Sequence, residues 1–236
     1  MNSLYSEYPA AVYTACQISQ LDRMATDELG VSSYQLMCRA GKAAFEVLRD
    51  YWPKAQTMAV FCGPGNNGGD AYVLATVALA FGMQVRVITV TPENQLQGSS
   101  LEAWKECRQQ GARIDLFSAD CPITEDVIID GLLGIGLSRD LEGEILAAVE
   151  IINESSKPVL SLDIPTGLDA NTGLVHHSSV KADVTISFLG LNQGLFLGVG
   201  PDYIGKLEFS DLDISADIYK QIPARVQRVT KSILEK

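Results

Sequence analysis

A nearly unbroken apolar run, Thr57-Met58-Ala59-Val60-Phe61-Cys62, passes straight into Gly63-Pro64-Gly65-Asn66-Asn67-Gly68-Gly69-Asp70. A buried strand that empties into glycines, two asparagines and an aspartate, followed by a helical pattern, constrains the fold strongly. Glycine admits positive φ and lets a ligand approach the main chain closely. The amides that open the next helix then point at an anion and favour it through their dipoles. The spacing contains G-x-G-x-x-G, which alone is a weak signal. The paired asparagines and the trailing Gly-Asp make it more specific.

Helix and strand patterns alternate after this point. Apolar residues at helical spacing run from Thr14 to about Tyr51, with Gly30 ending a first helix and Ser32 or Ser33 capping a second. Strands are expected at 57–62, 84–90, 113–117, 126–130, 157–163 and 182–188, with a weaker one near 205–209; helices fit 70–82, 97–110 and 141–154. The tail from Ser215 to Lys236 has a mixed pattern compatible with a terminal helix. Such alternation implies right-handed βαβ units and one mostly parallel sheet between helical layers. No linker or repeat divides residues 1–236, so a single domain is expected.

Composition narrows the function. The formal net charge is −11 and there is no basic cluster, which argues against nucleic-acid binding, since that relies on Lys and Arg to displace counterions. If the ligand carries phosphates, backbone amides or a bound cation must hold them. No apolar stretch is long enough to span a membrane. Met1 to Ala15 lacks the basic start of a secretory signal, and the scattered cysteines suit free thiols in a reducing compartment, so a cytoplasmic location is expected.

In an open parallel sheet, ligands bind beyond the carboxyl ends of the strands. Three loops bearing glycine and carboxylate fall at such ends: Gly63 to Asp70, the loop from Asp130 to Arg139, and the loop from Asp163 to Asp169. Each has a plain explanation. Asp70 fits an early-turn carboxylate facing a helix dipole, Asp130-Gly131 a turn, and Asp163 a turn residue ahead of Ile-Pro, where the residue before proline is pushed extended. Three together on one edge favour a site. Asparagine and main-chain oxygens with the single charge of Asp130 suit a monovalent or hard cation better than zinc. Asp163 is the candidate for proton transfer, because a carboxyl in a crevice beside other acids has a raised pKa.

Other chemistries fit less well. Cys62, Ser138 and Ser161 have no histidine to activate them, so Cys62 is expected to be a buried structural thiol. The only histidines, His176 and His177, fall in a polar segment expected to be an exposed loop. A dehydrogenase needs a carboxylate at the end of the second strand for a ribose hydroxyl, and Glu93 comes late behind Pro92. A phosphotransferase needs a Gly-Lys-Ser/Thr that is missing here.

The three motifs, Gly63 to Asp70, Asp130-Gly131-Leu132-Leu133-Gly134-Ile135-Gly136-Leu137 and Asp163-Ile164-Pro165-Thr166-Gly167-Leu168-Asp169, resemble those of the YjeF N-terminal domain family. The likeness extends from about Ile18, through Gln35-Leu36-Met37-Cys38-Arg39-Ala40-Gly41, to near Gly205. The resemblance implies a Rossmann-like three-layer α/β/α fold with an N-terminal helical section. It also implies NAD(P)H-hydrate epimerase activity, which interconverts the R and S epimers of hydrated NADH or NADPH. By the same resemblance Asn66, Asn67, Gly68, Gly69, Asp70, Gly134, Ile135, Gly136, Leu137, Ser138, Arg139, Asp140 and Asp163 bind substrate, with Asp163 catalytic. The resemblance further implies a potassium ion held at Asn67, Asp130 and Thr166. A homodimer and a partner NAD(P)H-hydrate dehydratase are implied as well. Three positions depart from the family pattern: Cys38 stands in place of an acid, Ala71 in place of glycine, and Leu191-Asn192-Gln193 where a lysine is common. The alternative reading is a non-catalytic nucleotide-binding or scaffolding module of the same fold.

Overall fold

A computed structural model describes residues 9–228. Two capping boxes shape the start of the chain. Thr14 and Gln17 exchange side-chain and backbone hydrogen bonds at the head of α1 (Ala15–Leu29), and Ser32 and Gln35 do the same for α2 (Ser33–Tyr51). Gly30, at φ 65°, closes α1 in the left-handed conformation that glycine adopts without strain.

The βα alternation follows as β2 (Thr57–Cys62), α3 (Asn66–Ala80), β3 (Gln84–Thr89), α4 (Gly98–Gln109), β4 (Arg113–Leu116), β5 (Val127–Gly131), α5 (Gly143–Glu154), β6 (Val159–Leu162), β7 (Val184–Phe188) and β9 (Lys206–Ser210). These strands form one seven-stranded sheet in the order β4-β3-β2-β5-β6-β7-β9, and every neighbouring pair is parallel. The expected α/β architecture is therefore present. The strand ends differ from expectation by a residue or two.

Alternate residues of β2 separate the two faces. Met58, Val60 and Cys62 pack into a core with α1, α2, α3 and α4, while Ala59 and Phe61 face the core under α5. The helix-sheet-helix layering follows from that alternation. Cys62 lies in the larger core, and burial pushes its thiol well up, as a structural cysteine requires.

Three features were not expected from the sequence. Helix α3 begins at Asn66, four residues before the expected start at Asp70, so the asparagines and Asp70 belong to a helix and only Gly63–Gly65 form the loop. A small second sheet joins β1 (Ala11–Tyr13) in parallel to β8 (Leu191–Asn192) and antiparallel to β10 (Val226–Gln227), which fastens the N-terminal segment across the molecule. In the tail, the helical expectation holds only for α6 (Ala216–Gln221); the chain then turns extended, and residues 229–236 lie outside the described residues.

The sheet order fixes the site. From β2 the chain moves outward through β3 and β4, then returns to the other side of β2 with β5 and continues through β6 and β7. The carboxyl ends of β2 and β5 thus flank the point where the winding reverses, where open α/β sheets form a crevice. The two loops touch there: the Gly63 amide donates to the Gly131 carbonyl at 3.1 Å. A Cβ on Gly63 would stand 1.7 Å from the Leu132 carbonyl oxygen. Gly63→Ala is expected to cost about 3 kcal/mol in chemical denaturation, because backbone rather than a movable side chain opposes the methyl. An unchanged unfolding midpoint would show that the loops do not meet in this register.

Candidate active site

A cavity of about 610 Å³ opens at the winding reversal, within the size range of small-ligand sites. Its walls come from α1, α2, the start of α3, the loop after β5, and Asp163 after β6. Gly65 caps α3 without a side-chain bond, at φ −100°. Apart from the adjoining chain, no heavy atom of the described residues lies within 4 Å of where a Cβ would stand on Gly65 or Gly136. Neither backbone strain nor packing therefore demands glycine at these positions. Both line the cavity, and the absent side chains leave the main chain open to a ligand.

Asp163 sits just beyond β6 with φ 64°, a conformation costly for most residues and more tolerable for aspartate. The Ile135 amide donates to its Oδ2 at 3.2 Å. Burial raises the Asp163 carboxyl to about 6 despite that amide and the nearby Asn192, and Asp22 pushes it further in the same direction. Asn192 comes close enough to favour the charged form, yet its amide makes no hydrogen bond of ordinary geometry; both its polar atoms are buried without a partner. Gly134 keeps the neighbouring space clear, since its Cβ would stand 2.7 Å from Asp163 Oδ2. Asp70 lines the same cavity, and burial, then Asp163 and Asp22, hold its carboxyl well above the ordinary range.

Asp130 lies behind the cavity wall with no exposed surface. Its carboxylate accepts from Ser161 Oγ at 2.8 Å, the Thr166 amide at 2.9 Å, Thr166 Oγ1 at 2.7 Å and the Leu132 amide at 3.3 Å. Burial raises its pKa, and the Thr166 and Ser161 bonds oppose that rise. Thr166 Oγ1 in turn accepts from the Leu133 amide at 2.9 Å. Asn67 is buried on the other side, 7% exposed, with neither amide atom partnered. Its main-chain carbonyl oxygen stands 3.1 Å from where a Cβ on Gly131 would be, so this residue shares the neighbourhood of Asp130. An unsatisfied amide oxygen, a threonine hydroxyl and one carboxylate form a hard-oxygen set that fits an alkali cation. Among the described residues no three His, Cys, Asp or Glu form a metal cluster.

The structure brings most of the expected residues together. Asn66, Asn67, Asp70, Gly134, Ile135, Gly136, Leu137, Ser138, Arg139, Asp140 and Asp163 all line the cavity. Gly68 and Gly69 do not; they are buried in α3, where added methyls would collide with the Gly63 carbonyl and with Met37. His177 is exposed as expected, but His176 is half-buried. It bridges Asp140 Oδ1 at 3.5 Å and Asp169 Oδ2 at 3.3 Å, because the loop after β6 folds back against the loop after β5. Asp22 and Asn192 were missed as site residues. Asp22 left a signal: it falls between Ile18 and Ala25 on the buried stripe of α1, a carboxylate where an apolar residue would serve packing. Asn192 reaches Asp163 only through the two-residue β8, and its one mark in the sequence was its place in the stretch where the family commonly has a lysine.

This arrangement defines an α/β protein with a ligand crevice at the switch point of a parallel sheet. The chain belongs to the family described as YjeF-related protein N-terminus, which matches residues 33–194. It is 37% identical over 211 residues to the bifunctional NAD(P)H-hydrate repair enzyme Nnr of Coxiella burnetii, covering 89% of this chain and 43% of that protein. It is 34% identical over 218 residues to an NAD(P)H-hydrate epimerase of Legionella pneumophila (strain Paris), covering 89% and 81%. An NAD(P)H-hydrate epimerase of Limosilactobacillus fermentum is 31% identical over 204 residues, covering 84% and 95%. The chain thus spans less than half the length of the bifunctional relatives. The crystal structure of the yeast protein YNL200c superposes with a TM-score of 0.78 at 18% identity, covering 93% of this chain and 96% of that one, a likeness of fold.

The raised pKa of Asp163 carries a stability consequence. The folded state holds this proton up to about pH 6, whereas the unfolded chain releases it near 4. The contribution is therefore fully present below about pH 4 and is lost as pH rises to about 6. Asp163→Asn keeps an oxygen for the Ile135 amide and tolerates positive φ. The variant is expected to exceed the parent in stability by about 2 to 3 kcal/mol above pH 7 and to match it near pH 4. Denaturation at the two pH values checks this, and equal differences at both would contradict it.

Proposed function

We propose that this chain is an NAD(P)H-hydrate epimerase, exchanging the R and S configurations at the hydroxylated carbon of hydrated NADH or NADPH. The carrying observation is the carboxyl of Asp163, raised to about 6 and set in a cavity beside a main-chain cradle. A general acid near neutral pH needs such a value. On this reading Asp163 protonates the departing hydroxyl while the ring nitrogen supplies electrons, and water returns to the opposite face. The amides at Gly65 to Asn67 meet the pyrophosphate. The glycine-lined stretch from Gly134 to Asp140 covers the ligand, and Asn66, Asn67 and Asp70 form its far wall. No redox cofactor is consumed, because the nicotinamide is the substrate.

The reading includes a potassium ion at Asn67, Asp130 and Thr166, supported by the unpartnered Asn67 amide. When bound, the ion supplies positive charge that offsets the repulsion between an acidic protein and a phosphorylated ligand. The same reading takes residues 1–236 as a single domain acting as a homodimer in the cytoplasm, with an NAD(P)H-hydrate dehydratase as functional partner. The bifunctional names of the Coxiella burnetii and Escherichia coli relatives support that last pairing.

The test supplies the R epimer of NADH hydrate and follows appearance of the S form above the uncatalysed rate. Activity is expected, and Asp163→Asn should lower inversion by at least about 100-fold. Dinucleotide binding without inversion in the parent would favour the non-catalytic module instead. For the ion, the rate is expected to rise with potassium chloride over choline chloride, and Asn67→Ala should remove most of that rise. An identical salt response in both proteins would refute the ion assignment.

A further inference from the structure

Inversion at one carbon by loss and return of water makes two proton demands on the protein. In the first step the carbon–oxygen bond breaks, a carboxylic acid gives its proton to the leaving oxygen, and the ring nitrogen's lone pair forms the carbon–nitrogen double bond. In the second a water oxygen bonds to the other face, a carboxylate takes the water's proton, and the electron pair returns to nitrogen. Nothing is oxidised or reduced. A single carboxyl serves both steps only if it reaches both faces of the ring.

Asp163 is badly placed for that. One of its oxygens is tied to the Ile135 amide, and its backbone is fixed in the left-handed region just beyond β6. Asp70 projects from a different element, α3, into the same cavity. Its carboxyl makes no hydrogen bond and no ion pair among the described residues, so no structural duty accounts for an acid there. Asn67, one turn earlier on α3, presents a second unpartnered polar side chain, nine-tenths buried, to the same space. The remaining charged groups on these walls are Asp22 from α1 and Arg139, Asp140 and Glu142 from the loop after β5.

Resting on the epimerase reading, we propose that Asp70 is a second catalytic residue that shares one proton with Asp163 across the cavity, each carboxyl serving one face of the ring. Two carboxylates in one enclosed space resist ionising together, and the charge of Asp163 is felt at Asp70, as is that of Asp22. In one direction of reaction Asp163 gives the proton and Asp70 receives one; in the reverse direction the roles exchange.

The test separates inversion from water exchange, using each epimer of NADH hydrate in oxygen-18 water. The parent should invert both epimers and label both. Asp70→Asn should lower inversion by at least about 100-fold while Asp163 still labels one epimer by removing and returning water on its own face. Asp163→Asn should do the reverse and label only the other epimer. A role for Asp70 in binding alone would change KM and suppress labelling and inversion alike. Near-parental inversion in Asp70→Asn overturns the proposal, as does a folded, ligand-binding Asp70→Asn that neither inverts nor labels. Should Asp70→Asn not fold, Asp163→Asn decides alone, and absence of label in both epimers overturns the proposal. Absence of inversion by the parent would refute the epimerase reading itself, a separate outcome.

Discussion

The carboxylate of Asp130 holds this site together. It lies one residue before the end of β5, has no exposed surface, and accepts hydrogen bonds from the loop that follows β5, from Ser161 in β6 and from the loop that follows β6. A buried charge without partners is costly, and this one is tolerated because several donors converge on it. Those donors are the means by which the loops are aligned: Thr166 is bonded to Asp130 on one side and to Leu133 on the other. The loop after β5 is thereby pinned two residues ahead of the Ile135 amide that holds Asp163. Gly63 then lets the loop after β2 close against Gly131 and Leu132. The loops after β2, β5 and β6 are therefore all referred to one buried charge.

Much of this was legible in the sequence because it depends on local chemistry. A β-branched or apolar run ending in glycine and aspartate marks the carboxyl end of a parallel strand, and three such ends on one sheet must face one edge. Asp130, Asp163 and Asp70 followed from that logic. The start of α3 was placed four residues late because the asparagines and glycines of 66–69 have poor helix propensity, whereas their packing inside the protein overrides it. Gly68 carries that packing most strictly, since a methyl there would meet the Gly63 backbone, whereas at Gly69 it would meet the movable end of Met37. The glycines thus divide into two kinds, one that lets the helix approach the sheet and one, Gly65 and Gly136, that faces open space.

What the sequence did not reveal is non-local. β1 and β8 are too short to carry a period, and their pairing joins residues far apart in the chain. Asn192 reaches the vicinity of Asp163 by that route alone. The half-buried setting of His176 likewise depends on two loops meeting, since Asp140 and Asp169 supply its partners. Asp22 was readable in principle, as a carboxylate on the apolar stripe of α1. A pattern that scores only the apolar positions of a helix passes over the one charged residue among them.

The electrostatics of the cavity point in one direction. Asp22, Asp70, Asp140, Glu142 and Asp163 line it, against Arg139 alone. In a protein of net charge −11 this is a poor place for a phosphorylated ligand if side chains had to do the binding. On the proposed reading the burden falls instead on the first amides of α3, laid bare by Gly65, and on a cation held by the oxygen set around Asn67. The acids then have a different use. Burial in a low-dielectric space, with a smaller push from Asp22, keeps a proton on Asp163 up to about pH 6, where an isolated carboxyl has lost it. A cluster of lysines would have secured the phosphates more tightly and, by the same field, stripped the proton from Asp163. On the proposed reading, binding through the main chain would let the cavity hold an anion and a neutral acid side by side.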